Sequence, residues 1–183
     1  MASTEELDEQ IEAAEEAGDT AKLLEIVTQC TPYGTREDDD WADTTEASLD
    51  AVYRLAKSGK ATSGMSVIFA ALDAWKGNEA IVEVALGCIV SLSKSYSTEE
   101  EKEVDVALLW SMMKPFPGES TIQEQACLAI EGLALASEKC KAALLKVDNV
   151  ESLLAAAKEN ITNERNKAYP GRAAEALGVS VPP

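Results

Sequence analysis

The residues best suited to chemistry lie in one short stretch, Asp38-Asp39-Asp40-Trp41, with Asp43 and Glu46 just beyond it. Clustered carboxylates can hold a divalent cation or attract a basic ligand, and an indole among them can anchor an apolar or cationic side chain. The cation is poorly served, because the run lacks the alternating ligands and central glycine of an EF-hand loop. A solvated charge run from Glu37 to Asp40 is the reading adopted. Trp41 with Asp38, Asp39 and Asp40 is the candidate partner-binding set, suited to a basic-aromatic peptide; in the competing reading Trp41 pins the acidic segment to the helix that follows. Glu99-Glu100-Glu101-Lys102-Glu103 is a second acidic cluster, accounted for by the preference of acids for a helix start.

Other reactive arrangements are missing from the sequence. It contains no histidine, which removes the commonest general base and the Ser-His and Cys-His pairings. No phosphate-binding glycine loop, G-x-S-x-G or H-E-x-x-H occurs. Cys30, Cys88, Cys127 and Cys140 have no C-x-x-C spacing or zinc-ligand grouping. Cys88 and Cys127 lie on or near the apolar stripe, and all four are expected to be reduced, structural thiols in a cytoplasmic protein, with the nucleus as the other location. Asn160-Ile161-Thr162 matches a glycosylation acceptor and is taken as a chance match. No catalytic, cofactor-binding or metal-binding residue is assigned, and a non-enzymatic protein is expected.

Net charge is −17, concentrated at one end. Residues 1–50 hold 16 acids and 2 bases, net −14; residues 51–183 hold 17 acids and 14 bases, net −3. Such a block repels phosphate backbones and anionic lipid and draws basic partners over roughly 8–10 Å. A protein or peptide partner, basic in character, is expected rather than nucleic acid or membrane. No apolar run approaches the ~20 residues a membrane span needs, and Met1–Glu6 has neither the basic start nor the apolar stretch of a secretory signal.

These residues must be carried by helices. Hydrophobic residues make up 46% of the chain and aromatics 5%, so any core is built from Ala, Leu, Val and Ile. Ser3 and Glu6 form a capping box for a first helix that Gly18 ends. Asp19 caps a second, broken at Thr31-Pro32-Tyr33-Gly34. Further helices are predicted from Thr45 to Lys57, Ser63 to Lys76, around Ala85, and from a Thr98–Glu101 capping box through Val104 to Met113. Four more follow, at Gln123–Ala136, Ser137–Lys146, Val150–Glu159 and from near Pro170, where proline suits a first turn. Trp75 and Trp110 fall in apolar helices and read as core, each indole N–H needing a partner.

One pattern recurs along these helices. Ser48-Ala51-Val52-Leu55, Ala85-Cys88-Ile89-Leu92, Ala126-Ala129-Ile130-Leu133 and Ala173-Ala176-Leu177 share small residues three apart, then a branched aliphatic; their first residues are 37, 41 and 47 positions apart. A drifting period of this size marks stacked helical repeats that bury a core against their neighbours. A second register keeps step: Lys76, Lys114 and Lys158, spaced 38 and 44, end the helices that precede the patterned ones.

The stretch Ile122-Gln123-Glu124-Gln125-Ala126-Cys127-Leu128-Ala129-Ile130-Glu131-Gly132-Leu133-Ala134, followed by 137–159, resembles an armadillo repeat, with Asp148-Asn149 replacing the usual turn glycine. The earlier repeats look like HEAT-like helix pairs, and residues 1–40 lie outside the pattern. The resemblance implies an all-α, short right-handed α-solenoid of about three to four armadillo/HEAT-like repeats over residues 44–179. Residues 1–43 then form an acidic N-terminal helical segment packed on the repeats, and 180–183 a frayed C-terminus. It also implies an adaptor or scaffold that binds a protein or peptide on its inner helical face. The alternative is an acidic regulator that occupies a basic or nucleic-acid-binding surface of a partner through residues 1–43. Importin-alpha proteins in this family hold basic peptides with a Trp and Asn ladder. The matching positions here, Leu128 and Gly132, Gly87 and Ser91, Asp50 and Arg54, do not carry that pair, so recognition of that kind is not implied.

Overall fold

Local signals set most helix ends in the computed structural model, which describes residues 2–34, 39–96 and 104–181. The described residues form α1 (Thr4–Ala17), α2 (Thr20–Cys30), α3 (Asp39–Lys57), α4 (Met65–Ala74), α5 (Glu79–Leu92), α6 (Leu108–Met113), α7 (Ser120–Ala136), α8 (Glu138–Leu144), α9 (Val150–Asn160) and α10 (Tyr169–Leu177), with no strand among them. The Ser3–Glu6 capping box forms at both bonds, and Gly18 ends α1 in the left-handed region at φ 68°. Asp19 accepts the Lys22 N–H to cap α2, and Asn78 accepts that of Ile81 to cap α5. Asn149 supplies the positive φ expected of the Asp148-Asn149 turn, at 63°. Pro170 sits in the first turn of α10.

Two helices differ from expectation. The helix predicted from Thr45 starts earlier, since Asp39 and Asp40 of the acidic run begin α3, where the helix dipole favours acids. In the other direction, α6 begins only at Leu108: Asp105 Oδ1 accepts the Ala107 N–H, a local turn that competes with helix over 104–107. The Thr98–Glu101 capping box lies outside the described residues.

The chain divides into two compact units, Met1–Ser95 and Tyr96–Pro183. In the first, α3 packs against α1, α2 and most extensively α5, while α4 lies on α5 and α2. Asp8 of α1 meets Thr44, and Glu15 meets Arg54, so α1 runs beside α3 in the same direction. The core holds Leu23, Ile26 and Val27 of α2 with Leu49, Val52, Ile68, Leu72, Ile81, Leu86 and Ile89, all fully buried. In the second unit α7 packs most extensively on α10, and also on α6, α8 and α9. The helices that carry the small-residue pattern are thus the ones packed side by side, α3 on α5 and α7 on α10. Within α10 the inward positions are Ala173, Ala174 and Leu177; Ala176 is half-exposed rather than buried.

Polar groups hold the connections. Gln123, 1% exposed, donates from Nε2 to the carbonyls of Met113 and Phe116 and so fixes the turn before α7. Trp110 Nε1 donates to the Leu144 carbonyl at 3.2 Å. Trp75 is buried as expected, but its indole N–H has no hydrogen-bond partner among the described residues. Gly34, which follows the Thr31–Tyr33 turn, approaches the end of α4 so closely that an added Cβ would lie 2.4 Å from the Ala74 carbonyl oxygen. Its φ is −59°, so space rather than backbone conformation requires glycine here. Gly34→Ala should therefore cost about 1–3 kcal/mol through overpacking, read as a lower denaturation midpoint; an unchanged midpoint would mean that the turn moves away freely.

Candidate functional site

Trp41 is half-buried near the start of α3, and its ring stacks on Tyr33 with centroids 3.9 Å apart and planes 7° from parallel. Tyr33 is itself buried in the turn after α2. One face of the indole is therefore occupied from within the chain, and the stack ties the two ends of the 34–40 connection together. Asp40 is exposed in the first turn of α3. Asp39 lies in the same turn, and Asp38 falls outside the described residues. Among the described residues no group of three or more Cys, Asp or Glu is placed to hold a metal ion. No helix there is long and apolar enough to cross a membrane.

The acidic segment is attached through α1 by specific bonds. Arg54 of α3 spans both oxygens of Glu15, with Nε to Oε1 at 2.5 Å and Nη2 to Oε2 at 2.7 Å, and also bonds Asp50 one turn earlier. The fork geometry of guanidinium on carboxylate makes this the strongest kind of surface pair. The hydrogen bond from Arg54 lowers the Glu15 pKa from its ordinary value. Thr44 Oγ1, buried, donates to Asp8 Oδ1 at 3.0 Å. On the opposite side Glu5, Glu9, Glu12 and Glu16 are exposed at three- and four-residue spacing, so α1 presents a continuous acidic face.

The second unit repeats the device with different residues. Arg172 of α10 reaches Glu131 of α7 from Nε at 3.0 Å and from Nη2 at 2.9 Å. Around that bridge lies a groove of about 530 Å³ lined by Glu131, Leu135, Lys141, Arg172, Glu175 and Ala176. Leu135 is 71% exposed, whereas Leu133 and Ala134 beside it are buried. Sequence reading missed both Arg–Glu bridges and Leu135. The bridges join residues 39 and 41 positions apart, within the 37- to 47-residue spacing of the small-residue segments, which is the one signal that could have suggested them.

The candidate ladder positions diverge in the structure. Asp50 and Arg54 bond each other, while Gly87 and Ser91 are buried, with an added Cβ on Gly87 only 3.3 Å from the Tyr53 ring. Leu128 and Gly132 are half-buried on α7.

The thiols are withdrawn from chemistry. All four are free and buried. Burial pushes Cys30 up to about 11 and Cys127 up to about 12, and raises Cys88 as well. Cys88 donates to the Leu49 carbonyl across the α3–α5 contact. A thiol must ionise to attack, so none of these three is a ready nucleophile at neutral pH.

Comparison with known proteins adds no relative. No family model matches the chain, and no curated protein or solved structure gives a significant match.

Two measurements check this geometry. Because the Glu15 pKa is lowered in the folded state, its contribution is complete above about pH 4.3 and is lost as the pH falls through the lowered value. Glu15→Gln should reduce stability at pH 7 by no more than about 1 kcal/mol, since the pair is partly exposed and screened. That gap should close in acid once the pH has fallen through the lowered Glu15 value; a gap that persists in stronger acid would remove the ion pair as its cause. In the native protein all four thiols should react with a disulfide reagent far more slowly than in denaturant, and one fast native thiol would contradict the burial described.

Proposed function

We propose that the chain is a non-enzymatic protein-interaction module of armadillo- or HEAT-like build, about three to four repeats in a short solenoid with α1 and α2 at its acidic end. It binds a protein or peptide on the face shared by the small-residue helices. The observation that carries this reading is the direct pairing of α3 with α5 and of α7 with α10, with charged side chains bridging neighbouring helices at the exposed edge. A repeat array with this packing uses its helix edges as a surface rather than enclosing a reaction.

Charge selects the class of partner. Residues 1–95 hold 19 acids and 7 bases, net −12, and residues 96–183 hold 14 acids and 9 bases, net −5. A basic segment is therefore drawn to the first unit, where Asp43, Ala47, Asp50 and Arg54 follow each other along one side of α3. Trp41 and Asp40 lie at the start of the same helix. The exposed acids of α1 favour a second reading, in which Glu5, Glu9, Glu12 and Glu16 occupy a basic or nucleic-acid-binding surface of a partner by charge.

Removing residues 1–40 would not separate these readings, because α2 contributes Leu23, Ile26, Val27 and Cys30 to the core. Surface variants do. The tagged full chain should retain its partners when Glu5, Glu9, Glu12 and Glu16 are all changed to Gln, and lose them when Asp43→Lys and Ala47→Arg are combined. The opposite pattern supports the acidic-regulator reading. Retention by both variants contradicts both surfaces.

A further inference from the structure

The groove between α7 and α10 combines features that nothing else in the second unit uses. Leu135 stands 71% exposed at its rim. Of the four charges that line it, Glu131 and Arg172 neutralise each other across the helices. Lys141 and Glu175 remain, one cation and one anion, and neither has an ion-pair partner among the described residues. The groove is therefore electrically neutral in a chain of net charge −17.

We propose that this groove is a self-association surface, occupied by the same groove of a second copy of the chain. A basic partner would find Glu175 but meet Lys141, and an acidic partner would find Lys141 but meet Glu175. A second copy related by a two-fold axis satisfies both: Lys141 of each chain faces Glu175 of the partner subunit, and the two Leu135 side chains pack near the axis. Isologous contacts of this kind require a patch complementary to itself, and one cation, one anion and an exposed leucine lining the same groove supply the groups for it. Neutrality matters as well, because two chains this acidic repel wherever acidic faces meet. Charges more than roughly 8 Å apart are screened at physiological salt, so the local match governs the contact.

The test is the mass of the full chain by sedimentation equilibrium at physiological salt, from roughly 1 μM to 1 mM protein. The wild type should show a concentration-dependent dimer, and Leu135→Asp should be monomeric throughout. Lys141→Glu and Glu175→Lys should each weaken the dimer by about tenfold or more, since each sets like charges opposite one another. The double swap should return to near the wild-type constant. Circular dichroism identifies any variant that loses helix, and the charge swaps carry the test without Leu135→Asp. A wild type that is monomeric across the range, a dimer that survives Leu135→Asp, or a double swap no better than the single ones each overturns the proposal. A monomeric wild type that still captures a protein through the first unit overturns self-association and leaves the protein-binding reading standing.

Discussion

The close approach of helices lined with small side chains is the constraint on which the rest of this structure depends. Where α3 meets α5, Cys88 comes within 3.3 Å of the Leu49 carbonyl, and Gly87 leaves room for the Tyr53 ring against the helix. Where α7 meets α10, Ala126, Ala129, Ala173 and Ala174 are buried. With only 5% aromatic residues, the chain gains its dispersion energy from many short contacts between aliphatic side chains at interior density. Larger buried residues complete the core: Ile68, Leu72 and Trp75 in the first unit, Leu109 and Trp110 in the second.

That closeness decides where charge can sit. Once the small stripes are buried, the next residues round each helix lie at the edge of the contact: Arg172 reaches Glu131 across the α7–α10 pair, while Arg54, on the side of α3 that faces α1, reaches Glu15. Neither pair is deeply buried, so each adds little to stability. The acidic N-terminal helix belongs to the same scheme: its Leu7, Ile11 and Ala14 are buried, Glu15 meets Arg54, and its remaining acids face outward. A polar outer face of this kind suits a terminal element of a helical stack.

Much of the helical layout was legible because its signals are local. The Ser3–Glu6 box, Asp19, Asn78, Asn149 and Pro170 each act within a few residues of a helix end, and each acts as its type requires. The four patterned segments could be found because their period brings chemically similar faces together. What the sequence concealed came either from local competition or from partners far along the chain. The start of α3 at Asp39 follows from a dipole outweighing charge repulsion, and the late start of α6 from the competing turn at Asp105. The Tyr33–Trp41 stack, the two arginine bridges and the exposure of Leu135 have no short-range signature. The candidate surface around Trp41 was visible as an unusual neighbour of acids, but only the fold shows that one indole face is already covered.

The most direct measurement compares two substitutions in α5 by equilibrium denaturation: Cys88→Leu, at the contact with α3, and Ala80→Leu, exposed on the same helix. If close packing of small residues governs the fold, Cys88→Leu should lose about 1–3 kcal/mol or more, while Ala80→Leu stays within about 0.5 kcal/mol of wild type. Equal effects at the two positions would contradict the account, because a core that accepts leucine at residue 88 does not depend on that closeness.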